Sequence, residues 1–127
     1  MTRFFLLFLL SLSVSTPAFG LSYSQRNEMK RTVQNMQALM PRRVDAMTTV
    51  TWTWMEGDTW YMNTTIRTGG LGLRKEQINV LKNYITDQYC RPPYEYLDAG
   101  LVIANQYYDE NKKHLFTAFA SKSICGR

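Results

Sequence analysis

Histidine and cysteine are nearly absent from this chain: one His (His114) and two Cys (Cys90 and Cys125) stand in 127 residues. One imidazole and two thiols without CxxC spacing make no metal-ligand set. Nucleophilic catalysis needs a base beside a Ser, Thr or Cys. The single His lies at the start of an expected strand next to a charged turn, where a plain surface role is expected. The GxSxG, HExxH and SxxK patterns are missing. The ten acidic residues fall mostly in turns and on helix exteriors, with no pair set apart for glycoside chemistry. The expectation is therefore no metal, no cofactor and no enzymatic activity. Beyond residue 20 there is no second long apolar run, so no membrane span is expected in the remainder.

What the chain does have begins at its first residues. Arg3 is followed by an apolar stretch from Phe4 to Val14 and then by Pro17-Ala18-Phe19-Gly20. A basic start, a short apolar run and small residues three and one before a cut are the parts of a secretory signal peptide. Residues 1–20 are read as that signal, with cleavage after Gly20, and residues 21–127 as one domain. The cleavage region holds no cysteine to carry acyl chains, so a soluble periplasmic or secreted product is expected.

The precursor is formally +5, and loss of Arg3 with the signal would leave +4. The basic pairs Lys30-Arg31, Arg42-Arg43, Arg74-Lys75 and Lys112-Lys113 are scattered, which fits a solvated surface rather than a nucleic-acid footprint. Both cysteines lie after the signal. In an exported chain they are expected to form a disulfide, Cys90 to Cys125, closing the C-terminal third into a loop.

From Ser24, Met29, Val33, Met36 and Met40 recur at helical spacing until Pro41, giving an amphipathic helix whose Met-rich stripe serves a core. Val50, Trp52 and Trp54 then alternate with threonines. Glu56-Gly57-Asp58 turns the chain, and Trp60, Met62, Thr64 and Ile66 alternate in their turn, a β-hairpin. The three tryptophans share numerical parity and are expected on one face, buried against helices rather than forming a stacking platform. Gly69-Gly70-Leu71-Gly72 lacks the GxxxxGK[ST] phosphate-cradle pattern and reads as a connector. Asn63-Thr64-Thr65 matches a glycosylation sequon but sits inside a strand, and is taken as accidental. Lys75–Tyr89 is a second helix with Ile78, Leu81 and Ile85 as its stripe, stopped at Cys90 by Pro92-Pro93. After a short turn over 94–99 capped by Gly100, strands over 101–108 and 114–123 form a second hairpin. The order α-β-β-α-β-β predicts an α+β fold: one four-stranded antiparallel sheet with both helices on one face.

The C-terminal half carries a helix ending in Tyr89-Cys90, then Leu97-Asp98-Ala99-Gly100, a hairpin through Tyr107-Tyr108-Asp109 and a closing Cys125. It resembles a loose group of small exported proteins and lipoproteins of Gram-negative bacteria, some encoded on prophages or mobile elements, over residues of about 40–125. That resemblance implies a bacterial envelope protein and no catalytic residues.

Tyr61, Tyr94, Tyr96, Tyr107 and Tyr108 are more tyrosine than a core of this size needs; Tyr94, Tyr96, Tyr107 and Tyr108 are the candidate partner-binding residues, together with the helix-free sheet face. The expected function is a soluble exported binding or accessory protein that acts through protein–protein contacts, supporting an envelope secretion or pilus system. Two alternatives stand beside it. One is a secreted effector or inhibitor of a host or competitor macromolecule; the other is a small hydrolase whose residues converge from distant positions.

Overall fold

The computed structural model of the protein describes residues 20–127, so the expected signal sequence, apart from Gly20, lies outside the described residues. Helix α1 spans Tyr23–Gln37. Its start is fixed by a reciprocal cap: the Gln25 amide donates to Ser22 Oγ at 3.1 Å, and the Ser22 amide donates to Gln25 Oε1 at 3.0 Å. Val33, in the middle of its stripe, is 1 % exposed. Strand β1 is only Arg42–Arg43; β2 (Thr48–Glu56) and β3 (Thr59–Ile66) form the expected hairpin. Helix α2 (Lys75–Tyr89) and the short α3 (Glu95–Ala99) follow, then β4 (Val102–Asp109) and β5 (His114–Ala120). Gly100 closes α3 at a φ of +118°, a left-handed conformation that glycine adopts without strain.

The sheet corrects the expected architecture. It has five strands in the order β1-β2-β3-β4-β5, and β3 pairs with β4 in parallel, so it is mixed rather than a four-stranded antiparallel sheet. Two physical reasons account for the difference. A connection that crosses one side of the sheet through two helices carries the chain from the end where β3 finishes back to the end where β3 began, and the next strand then runs parallel. β1 consists of two exposed arginines, whose side chains give no strand pattern. The α+β class holds, as do both long helices and both hairpins.

α1 packs on β2 and α2 on β5. One apolar cluster gathers Leu21, Met62, Leu97, Leu101 and Ile103, with Met29, Trp60 and Tyr94 against it. A second gathers Tyr107, Phe116 and Ala118, with Ile78, Leu81 and Ile85 of α2 against it. Between them Asn105, 2 % exposed, accepts from Thr64 Oγ1 at 2.7 Å and donates to the Tyr89 hydroxyl at 2.8 Å. The helices also take two sheet carbonyls: Gln37 Nε2 donates to Thr53 O at 2.8 Å, and Thr86 Oγ1 to Phe119 O at 2.9 Å.

The tryptophans do not share a face. The two-residue turn at Gly57-Asp58 pairs even-numbered residues of β2 with odd-numbered residues of β3: Trp54 lies opposite Tyr61, and Met55 opposite Trp60. Equal parity therefore puts Trp60 on the face opposite to Trp52 and Trp54. Trp60 packs in the first cluster and donates to Thr53 Oγ1 at 2.6 Å. Trp54 stacks on Tyr61, ring centroids 4.9 Å apart, on the helix-free side, and Trp52 there is 46 % exposed. A bulge at Thr51 then shifts the register, so that Val50 pairs with Thr64.

Cys90 and Cys125 form the expected disulfide, with Cα atoms 5.4 Å apart, and tie the end of α2 to the segment after β5. Replacing both by Ser should lower stability in denaturant unfolding by roughly 3–4 kcal/mol, from the entropy of the opened loop. Trp60→Ala should lose roughly 3–5 kcal/mol, while Trp52→Ala should stay within about 1 kcal/mol of the parent. Equal losses at the two positions would contradict the facing described here.

Candidate functional site: an apolar groove beside the second helix

Helix α2 is amphipathic, yet none of its fifteen residues is fully buried. Its stripe lies over Tyr107 and Phe116 but is only partly covered, because the space between α2 and the segment joining β1 to β2 is open. That space is a groove of about 850 Å³. Ile66 and Thr48 form its floor, Leu81 and Gln77 of α2 one wall, Asp45 and Met47 the other. It continues into a smaller hollow of about 270 Å³ beneath Tyr84, Ile85 and Gln88, with Tyr89 and Tyr107 at its base. Around the rim, Val44, Met47 and Tyr84 are all more than half exposed, and Leu71 is 93 % exposed; Val80, also more than half exposed, lines a neighbouring hollow with Leu73 and Glu76. Apolar side chains gathered around a concavity make this groove the candidate interaction site.

The walls are fixed by main-chain bonds. Val44 N donates to Thr48 O at 2.9 Å and Arg67 N to Met47 O at 2.8 Å. Asp45 caps its own turn by accepting from Met47 N at 2.8 Å; that bond, with Thr48, holds its carboxyl below the usual carboxylate range. The glycine-rich segment forms the end wall, and it is not a loose connector. Glu110, at the tip of the β4–β5 hairpin, accepts from the Thr68 amide at 2.6 Å, the Thr68 hydroxyl at 2.7 Å and the Gly70 amide at 2.9 Å. The Thr68 hydroxyl first, then the two amides, hold the Glu110 carboxyl down to about 2. The cradle of backbone N–H groups is thus filled by the protein's own carboxylate.

The groove is flanked by positive charge. Arg67 and Arg74 line it. Arg42 and Arg43 are exposed on the neighbouring strand, and the Arg43 guanidinium donates only to the carbonyls of Asp45 and Ala46. Among the described residues the ion pairs are Arg26–Asp58 and Arg127–Asp98, and neither uses an arginine of the groove. An apolar channel with unpaired guanidinium groups at its edge is chemically suited to an amphipathic segment carrying carboxylates.

The four tyrosines singled out in the sequence are not brought onto one surface. Tyr94 packs against the first cluster and lies under the Arg127 guanidinium, 3.5 Å from ring centroid to Cζ. Tyr96 is half-buried beside it, and its hydroxyl is pushed up to about 12, first by a hydrogen bond to Glu28. Tyr107 is 7 % exposed and stacks on Phe116 in the second cluster. Burial raises its pKa. Tyr108 lies on the helix-free face, where it donates to Gln106 Oε1 at 2.6 Å and meets the His114 ring edge-on. His114 is exposed, with Nε2 2.9 Å from Thr117 Oγ1. Among the described residues no three His, Cys, Asp or Glu side chains gather as metal ligands would, and no helix is long and apolar enough to cross a membrane.

The sequence reading assigns Ile66, Leu81 and Ile85 to the core, and the residues around them escape it for a definite reason. Leu71 stands in a glycine-rich run, Val44 and Met47 stand between short elements, and Val80 and Tyr84 lie beside the α2 stripe. Only the unexplained apolar content at Leu71 and Val80 was there to be noticed.

No family model matches the chain. A search of curated proteins likewise finds no match. Solved structures do match in fold. The type 2 secretion system pilotin EpsS of Vibrio vulnificus superposes with a TM-score of 0.65 at 13% identity, over 77% of this chain and 88% of that one. A Pseudomonas aeruginosa protein described as secreted gives 0.62 at 12%, over 84% and 99%. The type II secretion system pilotin AspS of Vibrio cholerae gives 0.61 at 16%, over 80% and 94%. At these identities the likeness is one of fold.

The Glu110 clamp has a measurable signature. Because its carboxyl is held well below the ordinary value of 4.5, the tether is complete at neutral pH and is lost only as pH falls through about 2. Glu110→Gln should therefore speed amide hydrogen exchange at Thr68 and Gly70 at pH 7, while leaving exchange in β3 unchanged.

Proposed function

We propose that this protein is an exported accessory protein of a bacterial envelope secretion or pilus assembly, working in the periplasm or outside the cell by binding rather than by catalysis. It holds an amphipathic segment of a partner protein in the groove between α2 and the β1–β2 segment. The observation that carries this reading is the half-covered stripe of α2 beside a basic-edged apolar groove. The fold shared with two type II secretion pilotins and with a protein described as secreted supports it. So does the signal-like start of the sequence.

The bound segment would lay leucine- or phenylalanine-type side chains over Ile66, Thr48 and Leu81 and set its acidic residues against Arg67 and Arg74. A helix read through anchors three and four residues apart suits a channel with one helical wall.

A photo-crosslinking amino acid at position 47 or 84, introduced into the exported protein in its own cells, should trap a partner. Mass spectrometry of the linked peptide should show an amphipathic, acid-bearing segment of an envelope-assembly protein. The same probe at position 52, on the helix-free face, should trap none. Met47→Ala and Tyr84→Ala should each weaken binding of that segment by about 2 kcal/mol if they anchor it, with melting temperature unchanged. Crosslinks confined to position 52 would move the site to the opposite face and refute this reading.

A further inference from the structure

The first of the described residues are gathered around one carboxylate. Asp58, in the β2–β3 turn, accepts from Arg26 of α1 through Oδ1 alone, with Nε at 3.0 Å and Nη2 at 2.8 Å. Its other oxygen, Oδ2, faces the Leu21 nitrogen at 3.4 Å, long for a hydrogen bond from a neutral amide. The Leu21 side chain is 6 % exposed and anchored among Leu97, Leu101 and Ile103, so the nitrogen cannot drift from this place. Gly20 is held at a φ of +115° in the same corner. A Cβ there would collide with Asp58 Oδ2, and a Cβ on Gly100 would come within 2.7 Å of the Gly20 Cα.

We propose that proteolytic maturation at the Gly20–Leu21 bond creates a structural ligand: the new α-ammonium of Leu21 docks on Asp58, completing a triad with Arg26 that fastens the start of α1 to the β2–β3 turn. The proposal rests on the sequence expectation of cleavage after Gly20. Hydrolysis by the exporting cell's signal endopeptidase breaks the bond between the Gly20 carbonyl carbon and the Leu21 nitrogen. Water leaves its hydroxyl on Gly20, which departs as a carboxylate, and the Leu21 nitrogen gains protons to become an ammonium. One weak amide donor is thereby replaced by a charged group with three, placed beside the carboxylate oxygen that Arg26 leaves free.

Gly20 suits the peptidase as a small residue before the cut, and the corner between Asp58 and Gly100, where a Cβ would collide, is left to the new terminus once it has gone. The buried Leu21 side chain also sets an order of events. A protease needs the bond extended and accessible, so the cut precedes the docking of Leu21, and the triad forms as the exported chain folds.

The test uses protein whose first residue is Leu21, released from a cleavable fusion, with its amine free or Nα-acetylated, in the parent and in Asp58→Asn. Acetylation should raise the unfolding equilibrium constant roughly threefold to tenfold in the parent and less than twofold in Asp58→Asn. An acetylation effect equal in both backgrounds, or absent from the parent, overturns the pair. A crystal structure of the free-amine protein needs no variant: a Leu21 nitrogen bonded to the Asp58 carboxylate supports the proposal, and one turned to solvent overturns it. The cleavage itself is read separately, from the mass of the protein recovered after export. Leu21 as first residue supports it, and any other start overturns the cleavage whatever the acetylation experiment gives.

Discussion

Parallel pairing of β3 with β4 is the constraint from which the rest of this molecule follows. The two strands lie side by side over eight residue pairs, from Thr59 beside Val102 to Ile66 beside Asp109. The buried bond from Thr64 to Asn105 stands inside this pair, on the face that carries the helices. A register slip of one residue would turn Asn105 toward the opposite face and strip it of Thr64 and Tyr89 together, leaving buried polar groups without partners. Everything from Arg67 to Leu101 must then return across one side of the sheet. The glycine-rich wall, α2, the Cys90 bridgehead and α3 all belong to that return path.

The groove is a by-product of how the return path is held. α2 is fastened near both ends: by the loop that Glu110 clamps before it, and by Thr86 and the disulfide toward its end. These attachments draw the helix toward β4 and β5, while α1 lies over β2. Neither covers Ile66 and Thr48 fully, and the apolar surface left open there is kept open by the fold itself. Burying apolar area is favourable by roughly 25 cal/mol per Å², so a surface of this kind has a standing gain available to whatever segment can cover it.

Much of this was legible in the residues. Pro41 and Pro92-Pro93 mark where the two long helices stop, and an exported chain with two cysteines has one bridge to make; the Ser22–Gln25 cap that starts α1 lies just before the Ser24 from which the periodic pattern is read. Local pattern failed wherever the answer depended on chain return or on turn length. Trp52, Trp54 and Trp60 share parity, but the number of residues in a turn decides whether equal parity means one face. The parallel pair could not be read from strand composition, because it is set by the end of the sheet to which the helical connection returns the chain. Glu110 lies forty-two residues from Thr68, and no spacing rule connects a hairpin tip to a glycine run. The tyrosines were noticed by number, and number does not distinguish a core stack such as Tyr107 on Phe116 from a contact surface.

The flanks of the sheet carry a further consequence. An open strand edge is a template on which another chain can lengthen the sheet, and such lateral growth is how β-rich proteins turn into fibrils. Here β1 offers only two arginines, β2 is bent by the bulge at Thr51, and the carbonyls of Thr53 and Phe119 already accept side-chain donors from α1 and α2. Two charged residues, one extra residue and two side-chain caps thus act as stoppers at the margins of the sheet. The apolar groove can stay open without the margins of the sheet inviting copies of the molecule to polymerise.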